Sequence, residues 1–129
     1  MIMPYNLLEN FYTEIASTYT SENSHSFNST IELNPDHEIY KGHFPQIPVA
    51  PGVCLIQAIK EILMAKLQKK LILTEGTNIK FLILINPKET KQFQVDFIVK
   101  RTDSTLDVNA NYTNNAKIFL KFKGKFKFA

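Results

Sequence analysis

The clearest hydrophobic pattern lies near the end of the chain, in the segment AKIFLKFKGKFKF. Apolar side chains recur at every second position from Ile118 to Phe128, except at Gly124, and lysines fill most of the positions between them. A period of two places successive side chains on opposite faces, so this pattern predicts a half-buried β-strand. A further strand is predicted for the run SFNSTIEL, which ends at the turn signal NPD. Three more are predicted for NIKFLILI, QFQVDFIVKR and LDVNANYT, and the turn signals NPKET, TDS and NN separate these from one another and from the last strand.

Two other segments have apolar residues at helical spacing. Residues 6–16, NLLENFYTEIA, follow this spacing behind Asn6, a suitable N-cap, and predict a short first helix. From Gly52 to Lys70 the chain contains strong helix formers and ends in lysines that complement the helix dipole. Its polar residues form only a narrow stripe, so this long helix is expected to be buried nearly all round. One buried helix and about five antiparallel strands predict an α+β fold with a sheet wrapped around one long central helix.

The length and composition indicate one domain, residues 1–129. The chain is 44% hydrophobic and 12% aromatic, which is enough for a single core. Its longest apolar run, FLILI, is too short to span a bilayer, and the first residues lack the features of a signal peptide. We therefore expect a cytoplasmic protein without a membrane partner. A single cysteine, Cys54, and the absence of a clustered His/Cys motif argue against a disulfide or a metal site.

The net charge of +3 is unevenly distributed. The last thirteen residues contain five lysines and no acidic residue, while the rest of the chain is net acidic. The chain has one arginine, Arg101, and its basic residues are concentrated in one predicted strand rather than spread over a face. This distribution argues against nucleic-acid binding.

The segment GHFPQIPVAPGVCLIQAI, residues 42–59, is the strongest candidate for a functional site. It contains two of the four glycines and three of the six prolines, arranged around His43 and directly before the long helix. Proline fixes φ and glycine permits close backbone approach, so the segment is suited to hold a loop rigidly at the start of a helix. We interpret it as an active-site loop.

The run YKGHFPQIPVAPGVCLIQA resembles the signature of the hotdog-fold β-hydroxyacyl-acyl-carrier-protein dehydratases of the FabZ/FabA type, which reads approximately GHFPxxPxxPGV. The similarity continues in IKFLILINPKETKQFQVDF, where that family has a strand, a turn containing proline and a second strand. The resemblance implies a hotdog fold and a (3R)-3-hydroxyacyl-ACP dehydratase of fatty-acid or related acyl-chain biosynthesis. It also implies an acyl-ACP or acyl-CoA substrate, no cofactor, and a homodimer or higher homo-oligomer.

Dehydration of a 3-hydroxyacyl thioester requires a base for the α-proton, donors for the enolate oxygen and an acid for the leaving hydroxyl. His43 can act as a base near neutral pH. Gly52 can offer its backbone N–H to the thioester carbonyl at the positive end of the helix dipole. The matching residues of the family have these two roles, and Phe44, Pro51 and Val53 are predicted to contact the substrate.

Gln57 departs from the family pattern. FabZ-type enzymes have Glu and FabA-type enzymes Asp at this position, and the partner subunit supplies that carboxyl as the acid. An amide can orient a hydroxyl but cannot deliver a proton at neutral pH. Glu61, where the family usually has Gln, lies one turn further and about 6 Å along the helix axis, so a direct replacement is not expected.

Three functions therefore remain open. In the first, a dehydratase, His43 takes the α-proton and returns it to the hydroxyl that Gln57 positions. In the second, the protein is a non-catalytic acyl binder or the support subunit of a heteromeric hotdog dehydratase. The third is an acyl thioesterase. Lys121, Lys123 and Lys125 could dock an acidic acyl carrier protein, or they could protect an edge strand from aggregation.

Overall fold

A computed structural model describes residues 9–21, 26–42 and 46–129 of the chain. Within these ranges, six strands form one antiparallel sheet in the order β1-β2-β4-β5-β6-β3, and the longer of two helices packs against it. The elements are β1 Tyr12–Ser21, β2 Ser26–Leu33, α1 Ile39–Gly42, α2 Gly52–Leu67, β3 Leu71–Phe81, β4 Gln92–Thr102, β5 Thr105–Asn114 and β6 Lys117–Phe128. This architecture agrees with the predicted α+β fold.

The core lies between α2 and the inner face of the sheet. Every second residue of the central strands is buried there, as the period of two predicts. The buried set includes Phe93, Val95 and Phe97 of β4, Val108, Ala110 and Tyr112 of β5, and Leu120, Phe122 and Phe126 of β6. Leu55, Ala58, Ile59, Ile62 and Leu63 of α2 complete it.

The predicted first helix is wrong where the structure describes it. Residues 12–16 belong to β1, which pairs with β2 in antiparallel register, while residues 6–8 lie outside the described residues. The run YTEIASTYTS is rich in threonine, tyrosine and isoleucine, which favour strands. Pairing with β1 also satisfies the backbone N–H and C=O groups along the free edge of β2, which a short helix could not do. Both effects outweigh the helical spacing of the apolar residues.

The strand predicted for NIKFLILI is displaced. β3 begins at Leu71 and ends at Phe81, so residues 82–85 leave the ladder. The Ile85 carbonyl accepts a hydrogen bond from the Ala50 backbone N–H at 2.8 Å and thereby ties this segment to the loop before α2. Because β6 lies between β5 and β3, it is not an edge strand, and edge protection does not explain its lysines.

Helix α2 differs from the prediction at its end and in its burial. It stops at Leu67 because Gln68 adopts a left-handed conformation, with φ of 53°, and donates its backbone N–H to the Met64 carbonyl. The helix is not buried all round, since the side chain of Val53 is 76% exposed while Glu61 is buried. One face of α2 is therefore left uncovered by the described residues, and it begins at the predicted active-site loop.

Candidate functional site

The start of α2 is held by its own backbone and by the segment after β3. Pro51 is the N-cap, and its carbonyl accepts hydrogen bonds from the N–H groups of Cys54 and Leu55 at 3.0 and 3.1 Å. The N–H groups of Gly52 and Val53 have no acceptor within the helix, as is general for a first turn. They are the donors that this end can offer to a ligand, together with the positive end of the helix dipole.

Gly52 also permits a close approach by an aromatic ring. A Cβ atom at this position would lie 2.6 Å from Cζ of Phe81, at the end of β3. Any larger residue would displace the ring, whose side chain is 53% exposed. The glycine therefore serves the packing of β3 against the helix start. Its predicted role as a donor to a thioester carbonyl remains a prediction.

The predicted base, His43, and the predicted substrate contact Phe44 lie outside the described residues. His37 is described, and both of its ring nitrogens are engaged. Its Nδ1 accepts from the Ile39 N–H at 3.0 Å, so Nε2 carries the proton and donates to the Glu9 carbonyl at 3.1 Å. The ring also meets Phe11 edge to face. His37 is accordingly a structural residue.

Gln57 is hydrogen-bonded to a buried carboxylate. Its Nε2 donates to Oε2 of Glu61 at 3.3 Å, and the hydroxyl of Tyr12 donates to Oε1 of Glu61 at 3.3 Å. In this hydrogen bond the amide turns its NH₂ group toward Glu61. The amide oxygen of Gln57 is then left to accept a hydrogen bond from another group. Sequence reasoning considered Glu61 as a replacement for Gln57 but did not predict a contact between them, and it missed Tyr12, which it had assigned to a helix.

The pKa values of two tyrosines follow from this burial. The pKa of Tyr12 is raised above its usual range, first by burial and then by the negative charge and hydrogen bond of Glu61. The pKa of Tyr112 is also well above its usual range because its side chain is enclosed. Tyr112 donates its hydroxyl to the Leu55 carbonyl at 2.7 Å, which fixes the first turns of α2 to β5. Both phenols therefore stay protonated and act as donors at neutral pH.

A cleft of ≈ 520 Å³ opens beside this cluster. Its walls come from β1, from the exposed face of α2 and from the residues that follow the helix. The lining residues are Tyr12, Glu61, Met64, Ala65, Gln68, Lys69 and Lys70. Glu61 is thus shared between the cleft and the hydrogen bond to Gln57.

Two further polar groups lie near the start of α2. Burial raises the pKa of the Cys54 thiol, so it stays protonated and packs as a small apolar residue rather than as a nucleophile. The hydroxyl of Tyr40 is buried without a hydrogen-bond partner in the described part of the chain. Burial and the neighbouring Cys54 raise its pKa as well. Sequence reasoning missed Tyr40, and the only local signal is its place three residues before His43.

The lysines of β6 project from the outer face of the sheet and are exposed. Lys121 lies opposite Lys80 of β3, whereas Lys125 lies opposite Glu75 of β3 and Asp107 of β5. The positive charge is therefore strongest around Lys121 and partly balanced near Lys125. Over residues 9–21, 26–42 and 46–129, no group of His, Cys, Asp and Glu side chains is arranged to hold a metal ion. No helix in these ranges is long and apolar enough to cross a membrane.

Solved structures with the same fold include a dehydratase heterocomplex, a protein with bound CoA and a thioesterase. The dehydratase heterocomplex ApeI:P from Xenorhabdus doucetiae matches with a TM-score of 0.71 at 18% identity, over 89% of this chain and 96% of that chain. A Bacillus halodurans protein solved with CoA matches with a TM-score of 0.57 at 11% identity, over 89% and 74% of the two chains. A thioesterase variant from Pseudomonas aeruginosa matches with a TM-score of 0.59 at 8% identity, over 94% and 83%. At these identities the likeness shows the fold, which is the hotdog fold.

The family comparison is more specific than the structural one. No curated protein matches the sequence significantly. The model of the ApeI-like family, described as ApeI dehydratase, matches residues 19–122, a range that contains the loop, α2 and most of the sheet. The match agrees with the predicted class of hotdog dehydratase but does not single out the FabZ or FabA type. On this match, the chain belongs to the ApeI-like dehydratase family.

Proposed function

We propose that the protein dehydrates (3R)-3-hydroxyacyl thioesters to trans-2-enoyl thioesters. Membership of the ApeI-like family supports this reaction class. In the proposed mechanism His43 removes the α-proton, and the N–H of Gly52 stabilises the developing enolate oxygen. His43 then returns the proton to the β-hydroxyl, which leaves as water. Proton and oxygen balance without an additional reactant.

The observation that carries this mechanism is the hydrogen bond between Gln57 and Glu61. With its NH₂ group held by the carboxylate, Gln57 presents an amide oxygen as an acceptor. That oxygen can bind the proton of the substrate hydroxyl and so orient the C–O bond toward protonation by His43. Val53 lies one helical turn before Gln57 on the same face, where its exposed side chain can contact the acyl chain. Phe44 and Pro51 would complete the wall around the thioester.

We also propose that the site is completed by a second hotdog subunit. Strand β3 is one edge of the sheet and is mostly exposed, so it can pair with the same strand of a second copy. Apolar side chains are exposed beside this edge and beside the start of α2, at Val53, Phe81, Leu82 and Leu84. A homodimer would cover them and would bring Gln57 of one subunit to the loop of the other.

A heteromeric arrangement is the alternative assembly. The ApeI:P neighbour is a dehydratase heterocomplex, and a different partner could supply the carboxyl that Gln57 lacks. The protein would then bind the acyl chain or support a catalytic partner. The observation that favours this alternative is the amide at position 57, which cannot donate a proton as an acid.

A thioesterase is the other candidate activity, because hotdog thioesterases are among the structural neighbours. Hydrolysis of the thioester would require a carboxylate or an activated water near the carbonyl. Glu61 is the buried carboxylate of α2, but it lies nine residues after Gly52 and is bound by Tyr12 and Gln57. We therefore rank dehydration above hydrolysis.

Incubation of the purified protein with thioesters tests the proposed function. The panel contains a 3-hydroxyacyl and a trans-2-enoyl chain, each on acyl carrier protein, coenzyme A and pantetheine. We expect loss and addition of water, followed by mass spectrometry, without release of thiol. Thiol release would favour the thioesterase, and inactivity of the protein alone would favour the support subunit. If activity is higher on acyl carrier protein than on pantetheine and this preference fades at about 300 mM salt, docking on Lys121, Lys123 and Lys125 is supported.

A further inference from the structure

A second pocket lies at the opposite end of α2 from Gly52. The helix has 16 residues, so the two ends are about 24 Å apart. The pocket has a volume of ≈ 190 Å³ and apolar walls formed by Phe27, Leu67, Val99, Leu106 and Phe128. Three cations, Lys66, Lys69 and Arg101, surround it. We call this set of eight residues the α2-end pocket.

Arg101 reaches this pocket because of its position in β4. Along β4, Phe97, Val99 and Arg101 alternate with outward-facing residues. The side chain of Arg101 is therefore on the same side of the strand as the core residues Phe97 and Val99. Its guanidinium carbon lies 4.8 Å from the centroid of the Phe128 ring, a distance at which the ring face attracts and orients a cation. No acidic side chain of the described residues is within ion-pair distance of Arg101. Among the residues that the structure describes, the chain's one arginine therefore lies over an apolar pocket without a carboxylate partner.

Lys66 adds charge on the opposite wall. Its Nζ lies 5.4 Å from the centroid of the Phe27 ring and donates to the hydroxyl of Ser17 at 3.0 Å. Each aromatic wall of the pocket thus carries a cation at its rim. An apolar interior with a positive rim complements an amphipathic anion, and it disfavours cations and neutral polar molecules.

We propose that the α2-end pocket binds a short or medium-chain carboxylate. The guanidinium of Arg101 can hold a carboxylate through two parallel hydrogen bonds, while the alkyl chain enters between Phe27 and Phe128. The volume is below the range of about 300–1,000 Å³ typical of pockets for drug-sized ligands, which argues for a short alkyl chain rather than a nucleotide. The site is independent of the thioester chemistry proposed at the start of α2.

Long cationic side chains can also cover apolar surface simply to keep it soluble. The two roles differ in their response to a ligand. A covering role predicts no saturable binding of carboxylates, and loss of Arg101 would then affect stability alone. A binding role predicts an affinity that depends on the anionic head group and on Arg101.

Titration of the ¹⁵N-labelled protein with octanoate tests this proposal. We expect saturable shifts of the backbone amides of Leu106 and Phe128, and much smaller shifts with octanol at equal concentration. Arg101→Gln should weaken octanoate binding about tenfold or more, because a charge-assisted contact is lost. Lys100→Gln is the matched control, since Lys100 is the preceding residue and lies on the outer face of β4. It should leave the affinity unchanged.

Arg101→Gln must keep the fold for this comparison, which its thermal unfolding curve will show. Should it fail to fold, Lys69→Gln replaces it and should also weaken binding. Saturable shifts confined to the amides around Gly52 would place octanoate at the thioester site and overturn the proposal. Equal binding of octanol, or unchanged binding by Arg101→Gln, would overturn it as well.

Discussion

At the scale of single residues, the central feature is the pair formed by Gln57 and Glu61. The FabZ-type signature that the loop sequence resembles has a carboxyl at the position of Gln57 and an amide at that of Glu61, so relative to that signature this chain has the two groups in exchanged order. A buried carboxylate is costly unless donors satisfy it, and here Tyr12 and Gln57 provide two hydrogen bonds. The motif was sufficient to locate Gln57. The i, i+4 spacing of Gln57 and Glu61 on α2 permits their contact, but the contribution of Tyr12 could not be predicted, because it reaches the pair from β1 across the fold.

The positions of the amide at Gln57 and the carboxyl at Glu61 lead to a prediction for substitutions of these two residues. Gln57→Glu places two carboxyl groups one turn apart, and their repulsion favours protonation of one of them at neutral pH. If the dehydratase proposal holds, this new acid should raise kcat, by up to about 10²-fold. Glu61→Gln should instead lower kcat several-fold, because the orientation of the Gln57 amide is no longer fixed.

Steady-state dehydration rates measured from pH 5 to pH 9 provide the check. The kcat of the Gln57→Glu variant should fall toward the wild-type value as pH rises, because the added carboxylic acid ionises and can no longer donate a proton. In the wild type, position 57 carries an amide and contributes no such decrease of kcat. Lys60→Gln is the control on the neighbouring, half-buried position of α2. A Gln57→Glu variant with unchanged kcat and pH profile would show that this position does not face the reacting hydroxyl.

At the scale of elements, hydrophobic periodicity was a reliable guide for the strands and the helix that pack on the core, but it was wrong for the first element. The strands β4, β5 and β6 and the start of α2 agree with their hydrophobic patterns because each buries one face against the same core. The prediction of a helix for the first element was wrong because pairing with β2, a long-range interaction, decides the conformation of this segment. In β3 most side chains are exposed, so its early residues carry no alternating pattern to detect.

The exposed edge of β3 predicts the assembly. We expect a homodimer at micromolar concentration, because edge pairing satisfies the open backbone groups and covers the apolar residues beside them. Leu84→Lys should weaken this dimer, since Leu84 is 75% exposed next to the edge. Ile98→Lys, at a 57% exposed position on the outer face of β4, should not. The test is the molar mass of the wild type and of the two variants, measured by light scattering. A monomeric wild type would contradict the proposed pairing.

At the scale of the whole molecule, the sheet curves around one helix and leaves the two ends of that helix with different chemistry. The start of α2 offers free N–H groups, an exposed apolar residue and the proline-rich loop. Its end is surrounded by cations and aromatic rings. The fold class and the first of these ends were predictable from the sequence. The second was not, because Phe27, Arg101 and Phe128 come from three different strands that only the folded sheet brings together.

The dehydratase activity itself depends on His43, and one comparison tests it most directly. The rate of water loss from a 3-hydroxyacyl thioester on acyl carrier protein is measured for the wild type and for His43→Ala, with circular dichroism to confirm that both are folded. We expect the substitution to lower kcat by about 10²-fold or more, because His43 is the base that removes the α-proton in the proposed mechanism. Dehydration that continues at the wild-type rate in His43→Ala would contradict the account.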